Sequence, residues 1–178
     1  MRAPVLPLLS PLAALALLLA APASSWAQQG RAAAPAGPKV IGKFDDWTAA
    51  TLAEGGVTVC YAFTKASNSA PAVPGRGDVV LTVTQRPQGR DTVAISAGFA
   101  YPAGAEVSVQ VEQTALNFYT SQRSAFAREG TAAVAAFQRG RSAVARSPGP
   151  RNVPVVDTFS LRGFSAAYAA TVKACPPR

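Results

Sequence analysis

Hydrophobic and polar residues alternate through the middle of the chain in a way that predicts β-strands. The clearest case is residues 106–112, where three valines alternate with polar side chains. Such alternation is typical of a strand with one buried and one exposed face. Similar runs recur about every 8–12 residues with turn-forming residues between them, which predicts an antiparallel sheet. The predicted strands are residues 39–51, 57–63, 78–86, 91–99, 106–112, 115–119, 124–127, 142–147 and 153–161.

Two segments depart from this alternation and predict helices. Residues 131–138 are rich in Ala, with Thr131 as a predicted N-cap and an end at Gly140. Residues 164–175 place apolar side chains at helical spacing on one stripe that ends at Cys175. We therefore predict a mainly β protein, an antiparallel β-sandwich or barrel-like domain with one short internal helix and a C-terminal helix.

The N-terminal residues predict export. Residues 1–27 have the features of a signal peptide: a positive Arg2, an apolar run at 12–21 and small residues before a cleavage point at Gln28. A membrane anchor is the alternative, but Pro22 interrupts the apolar run too early for a span. Residues 28–38 are predicted as a flexible lead-in and residues 39–178 as a single β-rich domain. We expect the mature chain to have no transmembrane segment and to be periplasmic, with outer-membrane association or secretion as alternatives.

The chain has only two cysteines, Cys60 and Cys175. In an exported protein, two cysteines are most simply a disulfide pair. Such a bond would tie the C-terminal helix to the sheet. A catalytic thiol or an intermolecular bridge is the alternative, although no Cys-x-x-Cys motif is present.

The chain is basic, and part of its charge is concentrated. The formal net charge is +8, and it becomes +7 once Arg2 leaves with the predicted signal peptide. Arginine side chains hold phosphate and carboxylate groups with two donors, so an anionic envelope component or another envelope protein is the expected partner. A solvated basic edge is the alternative, and an exported chain is not expected to bind nucleic acid. The predicted contact residues are Arg139, Arg141, Arg146 and Arg151.

The composition does not favour an enzyme. The chain has no histidine, which removes the commonest general base and the commonest metal ligand. Asp45 and Asp46 are the nearest thing to a carboxylate pair, but adjacent strand residues point to opposite faces, so we interpret them as turn or edge residues. We expect no catalytic residue, metal or cofactor. An unrecognised envelope hydrolase is kept as an alternative.

Several short motifs together resemble one bacterial family. They are Phe44-Asp-Asp-Trp47, Val59-Cys60-Tyr61, Arg76-Gly-Asp78 before a strand that ends in Arg86-Pro87, and Leu161-Arg-Gly-Phe164 before a late cysteine. In this order they resemble the invasion-associated locus B family of bacterial envelope proteins, over roughly residues 40–175.

That resemblance implies a β-rich domain exported to the periplasm or outer envelope, and it supplies no catalytic residues. Some members in pathogens are linked to host-cell invasion, so a host invasion or adhesion factor is the alternative function. Arg76-Gly77-Asp78 also matches a tripeptide read by host adhesion receptors, although Gly-Asp before a strand is ordinary turn chemistry. The oligomeric state is not predicted.

Overall fold

The computed structural model describes residues 37–177, which form one antiparallel sheet of eleven strands and two α-helices. The predicted signal peptide and most of the lead-in lie outside the described residues. The strands are β1 (Lys39–Phe44), β2 (Trp47–Glu54), β3 (Val57–Lys65), β4 (Asn68–Ala70), β5 (Val80–Arg86), β6 (Gly89–Ser96), β7 (Glu106–Val111), β8 (Thr114–Ser121), β9 (Ser124–Ala127), β10 (Ser142–Pro148) and β11 (Pro154–Ser160). The helices are α1 (Gly130–Arg139) and α2 (Phe164–Ala174), and Pro150–Asn152 forms a single 3₁₀ turn.

The sheet rolls up so that its β11–β4 end returns to the side of β3. Its strand order is β1-β2-β3-β5-β6-β9-β8-β7-β10-β11-β4, so β4 lies at the far end although it follows β3 directly in the chain. Between these strands, the Ala66 N–H donates to the Val79 carbonyl at 2.9 Å and the Ser67 N–H donates to the Thr158 carbonyl at 2.8 Å. The chain thus passes from pairing with β5 to pairing with β11. Of the two forms that the sequence predicts, a sandwich and a barrel-like domain, the barrel-like one describes this arrangement.

The predicted alternation of apolar and polar residues identifies which side chains face the inside of the rolled sheet. Val107, Val109 and Val111 on β7 are buried, while Glu106 and Ser108 on the same strand are exposed. The same rule holds across the sheet, because successive strand residues point to opposite faces. The apolar inward residues form one continuous core.

Both helices pack against this core. The Phe164 ring on α2 is fully buried and makes edge contacts with Trp47 at 4.8 Å and Phe137 of α1 at 5.5 Å between ring centroids. Gly163 precedes α2 with φ of 86°, and a Cβ there would collide with the Phe44 carbonyl oxygen, so glycine is required at this close approach. Within residues 37–177, no helix is both long enough and apolar enough to cross a membrane.

Local details of the prediction need correction. Residues 39–51 form two strands rather than one, with Asp45 and Asp46 as the turn between them. The loop predicted before residue 78 contains β4, which is too short and too polar to alternate. Pro154 begins β11, which lies between β10 and β4 although proline in a sheet is usually confined to an edge strand. Pro154 is tolerated because β4 pairs only with Val156 to Thr158.

The predicted N-cap at Thr131 is also wrong. The helix α1 begins one residue earlier, at Gly130, and Glu129 is the N-cap residue without a side-chain hydrogen bond. Gly130 lies directly against the Asp91 carbonyl, where a Cβ would collide. This packing fixes where the helix begins, and the Thr131 hydroxyl points to the Asp91 carboxylate at 3.4 Å instead.

Candidate functional site

The four arginines predicted as an anionic contact lie along one strand and its two ends. Arg139 ends α1 and Arg141 precedes β10, whereas Arg146 lies within β10 and Arg151 lies in the turn after it. All four side chains are exposed. Because a strand rises about 3.3 Å per residue, the set spans roughly 25 Å rather than forming a tight cluster. We call Arg139, Arg141, Arg146 and Arg151 the basic strip.

Strand alternation explains why Arg146 faces outward. Its neighbours Ala145 and Ser147 are buried on the inner side of the roll. On the outer side, Arg146 lies between Ser108 of β7 and Val156 of β11. No carboxylate stands directly beside it in either neighbouring strand.

The basic strip makes no ion pair, unlike several other exposed cations of the described residues. Arg86 pairs with Glu54 at 3.2 Å, and Arg128 pairs with Glu106 at 2.6 Å. Among the described residues, no member of the basic strip makes such an ion pair, and residues 130–156 contain no Asp or Glu. The Glu112 carboxylate lies next to one end of the strip, where it accepts a hydrogen bond from the Arg141 backbone N–H at 3.0 Å. With four arginines and one such carboxylate, the strip is still a local excess of positive charge available to an outside anion.

The far end of the strip is a projecting turn. Arg151 and Asn152 both have positive φ, 56° and 59°, so two consecutive residues adopt the left-handed conformation. Val153 follows and is 45% exposed. This turn presents a cation and an apolar side chain side by side.

The predicted disulfide between Cys60 and Cys175 is confirmed. The two Cα atoms are 5.9 Å apart, and no cysteine is left free. Cys60 is fully buried on β3, and Cys175 directly follows α2. The bond therefore ties the C-terminal helix to the sheet, and it removes the thiol chemistry that was the alternative.

A second anchor holds α2 near the same place. The Tyr168 hydroxyl donates to the Asp91 carboxylate at 2.8 Å, and the Gln85 amide donates to the same oxygen at 2.7 Å. Gln85 is fully buried. The Arg90 guanidinium also donates to the Cys175 carbonyl at 2.8 Å. This network is structural, because it joins α2 to the β5–β6 hairpin and leaves no free base.

Alkaline pH is expected to weaken this anchor. Burial, together with the hydrogen bond to Asp91 and its negative charge, raises the pKa of Tyr168 from 10 to about 12. The folded protein therefore holds this proton where the unfolded chain has lost it, so the contribution of Tyr168 to stability should be constant below pH 10 and fall between pH 10 and 12. Denaturant unfolding across this range should show a shallower decline for Tyr168→Phe than for the wild type. An equally steep decline in the variant would contradict this assignment.

The tripeptide Arg76-Gly77-Asp78 is not presented as a receptor motif. The Arg76 side chain is only 6% exposed and forms a two-pronged ion pair with Asp157, at 2.8 and 2.7 Å. Asp78 is exposed but pairs with Lys65 at 2.6 Å. A receptor would need the arginine that the fold has buried, so the turn interpretation is favoured.

A serine–carboxylate contact at a surface depression, between Ser160 and Asp46, is poorly suited to catalysis. Ser160 Oγ donates to Asp46 Oδ2 at 2.7 Å. This hydrogen bond and the charge of Arg162 hold the pKa of Asp46 below its ordinary value. Such a carboxylate is a poor base for activating a hydroxyl at neutral pH. The contact instead clamps the β1–β2 turn to the end of β11. Within the described part of the chain, no three His, Cys, Asp or Glu residues are grouped as a metal site.

The rolled antiparallel sheet, its terminal helix and the disulfide between them define a class of disulfide-stapled β protein. The family model described as "Invasion associated locus B (IalB) protein" matches residues 47–172. The chain belongs to this family.

The fold is also found in a solved structure. The crystal structure of invasion associated protein B from Bartonella henselae superposes with a TM-score of 0.56 at 17% sequence identity, covering 75% of this chain and 95% of that one. At this identity the likeness concerns the fold alone. No curated protein matches the sequence.

Proposed function

We propose that this member of the IalB family is an exported, non-enzymatic protein of the cell envelope that binds anionic envelope components through the basic strip. The observation that carries the proposal is the run of four exposed arginines whose side chains make no ion pair among the described residues, in a segment that has no acidic residue. The Cys60–Cys175 disulfide supports export, because such bonds persist in oxidising compartments.

The geometry of the strip fits a surface better than a small ligand. Its members are spread over roughly 25 Å along β10, so a single small anion could not contact all of them. Phosphate groups of acidic lipid or lipopolysaccharide recur across a surface and could meet several arginines at once. Guanidinium groups bind such anions with two parallel donors. The exposed Val153 beside Arg151 would add an apolar contact at the same surface.

Removal of the strip is expected to weaken binding strongly. Each Lys or Arg near an anionic surface contributes about 1 kcal/mol, so a variant with all four arginines replaced by Gln should bind at least about tenfold more weakly. Co-sedimentation of the mature chain with phosphatidylglycerol vesicles, and separately with lipopolysaccharide, measures this. Raising the ionic strength should release the wild type, because these charges are exposed.

A charge-matched control separates the strip from net charge. Replacement of four exposed cations outside the strip by Gln removes the same number of positive charges. They are Lys39, Lys43, Arg123 and Lys173. This control should keep most of the binding. Equal losses in both variants would show a non-specific charge effect, and salt-resistant retention of the wild type would oppose an electrostatic contact.

Host interaction is the second candidate, favoured by the similarity of the fold to a Bartonella protein that is named as invasion associated. If this chain acts on host cells, it must be reachable from outside the bacterium. Protease or antibody accessibility on intact cells tests this. Protection on intact cells, with exposure only after the outer membrane is opened, would support the periplasmic proposal.

A further inference from the structure

A second outward face of the roll has a different chemistry from the basic strip. One cross-strand row runs Phe63, Thr82, Ala94, Phe126, Tyr119 over β3, β5, β6, β9 and β8. Two aromatic residues thus stand at one end of the row and one at the other, with small side chains between them. Because neighbouring strands are about 4.8 Å apart, Phe63 and Phe126 are roughly 14 Å apart.

The aromatic rings occur in pairs. Tyr61 and Phe63 have ring centroids 5.8 Å apart on β3, and Tyr119 and Phe126 are stacked at 5.6 Å with 26° between their planes. Tyr119 is 44% exposed, and the other three are half-buried. The Arg128 guanidinium also lies 5.8 Å from the centroid of the Tyr119 ring. Aromatic side chains on a sheet surface offer apolar contact area to a ligand at little cost in side-chain entropy.

Hydroxyl side chains fill the space between and beside the rings. The rows on either side of the aromatic row pair Tyr61 with Thr84 and Lys65 with Val80. Within residues 37–177, none of the hydroxyls on this face hydrogen-bonds to another protein group, so each is free to bind a ligand or water. They belong to Thr82, Thr84, Thr92, Ser96, Ser121 and Ser124.

The face carries little net charge although the protein is basic. Most charges at its borders form ion pairs: Glu54 with Arg86, Glu106 with Arg128, and Asp78 with Lys65. Arg123, in the turn between β8 and β9, instead donates to the Gly98 carbonyl at 2.5 Å. No charged side chain lies on the aromatic row itself. An anionic surface would therefore favour the basic strip over this face, whereas an uncharged ligand matches it.

We propose that this face, defined by Tyr61, Phe63, Thr82, Thr84, Thr92, Phe126 and Tyr119, binds an uncharged polysaccharide chain. Sugar rings have one C–H-rich side that packs on aromatic rings and a rim of hydroxyls that exchange hydrogen bonds with threonine and serine. Two aromatic pairs, with hydroxyl side chains on the strands between them, suit an extended chain of sugar rings. The inference does not depend on the basic strip, because the two surfaces share no residue.

The test uses the mature chain and defined sugars. Soluble chito-oligosaccharides are titrated by calorimetry, and pull-down with insoluble chitin and with purified peptidoglycan distinguishes a general polysaccharide site from one that requires the bacterial wall. The double variant Tyr119→Ala, Phe126→Ala should bind about tenfold more weakly or worse, since exposed aromatic residues commonly dominate such contacts. Binding should be unaffected by salt, unlike binding to the basic strip.

Matched controls keep the outcome interpretable. Val153→Ala removes a comparably exposed apolar side chain outside the face, and Arg146→Gln removes a charge from the basic strip. Both should bind sugar like the wild type.

The single variants Tyr119→Ala and Thr84→Val carry the test if the double variant unfolds. The proposal is overturned if the wild type binds none of these sugars, if the aromatic variants bind as well as the wild type, or if the face proves to join two copies of the chain in a dimer that Tyr119→Ala dissociates.

Discussion

Reduction of the Cys60–Cys175 disulfide is expected to lower the free energy of unfolding by about 4–5 kcal/mol. The bond joins residues 115 apart in sequence, so it closes a loop that contains most of the domain. In the chain-entropy account, a loop of this size restricts the unfolded state strongly. The loss should be largest at the C-terminal end, where α2 is otherwise held by the Tyr168–Asp91 hydrogen bond and by burial of Phe164.

Denaturant unfolding of the oxidised and reduced wild type measures this directly, without creating the cavity that a substitution at buried Cys60 would leave. A Cys175→Ser variant gives a second measurement, because Cys175 lies at the half-exposed end of α2. Hydrogen exchange should show faster opening of α2 than of β7 once the bond is broken. Unchanged unfolding midpoints after complete reduction would mean that the helix is held by packing alone.

The sequence predicted most of the elements because their signals are local. Alternation alone identified β7, since three valines occupy every second position and one face of the sheet is buried. The stripe on α2 was also local, and its buried members Phe164, Ala167 and Thr171 are those that the helical period predicts. The disulfide could be predicted because the chain offers only one internal pairing.

The sequence offered a barrel-like form as one of two possibilities, but the strand order that closes the sheet could not be predicted, because it depends on a long-range choice of partners. Strand β4 has only three residues, and its pairing with β11 joins positions far apart in the chain. The length of the basic strip could not be predicted either. Closeness in sequence suggested a cluster, but an extended strand separates its members by about 3.3 Å per residue.

The motifs that carried the family resemblance turn out to be contact partners in the fold. The turn after Phe44 meets the start of α2, where the Asp46 N–H donates to the Arg162 carbonyl at 3.4 Å and Trp47 packs on Phe164. Likewise, the cysteine at 60 meets the late cysteine at 175. The motifs therefore occur together for a physical reason. They form the contacts that join the C-terminal helix to the first strands of the domain.

One buried charge had a sequence signal that was overlooked. Asp157 occupies an inward position on β11, between the buried residues Val155 and Phe159. An acidic residue at a core position needs a buried cation. Alternation thus indicates the site of an ion pair, but it cannot identify Arg76, which lies 81 residues earlier in a loop.

The Arg76–Asp157 pair is surrounded by partners that satisfy both groups. The Arg76 Nε donates to the Ala97 carbonyl at 2.7 Å, and its guanidinium lies 4.8 Å from the centroid of the Phe99 ring. The Ser69 hydroxyl donates to the Asp157 carboxylate at 2.6 Å. The pair therefore fastens the loop before β5 and the short strand β4 to β11, at the seam where the sheet closes.

Breaking this pair from one side is expected to cost about 3–5 kcal/mol of stability, because the remaining charge stays buried without a partner. Arg76→Met and Asp157→Asn each remove one partner, and their free energies of unfolding can be measured with denaturant. The exposed pair Arg128–Glu106 is the control, and its disruption by Arg128→Gln should cost about 1 kcal/mol or less. The double variant Arg76→Met, Asp157→Leu should be more stable than either single variant, since an apolar pair leaves no buried charge. Single variants as stable as the wild type would show that water reaches the site, and a double variant with fully additive losses would show that the two residues do not act as a pair.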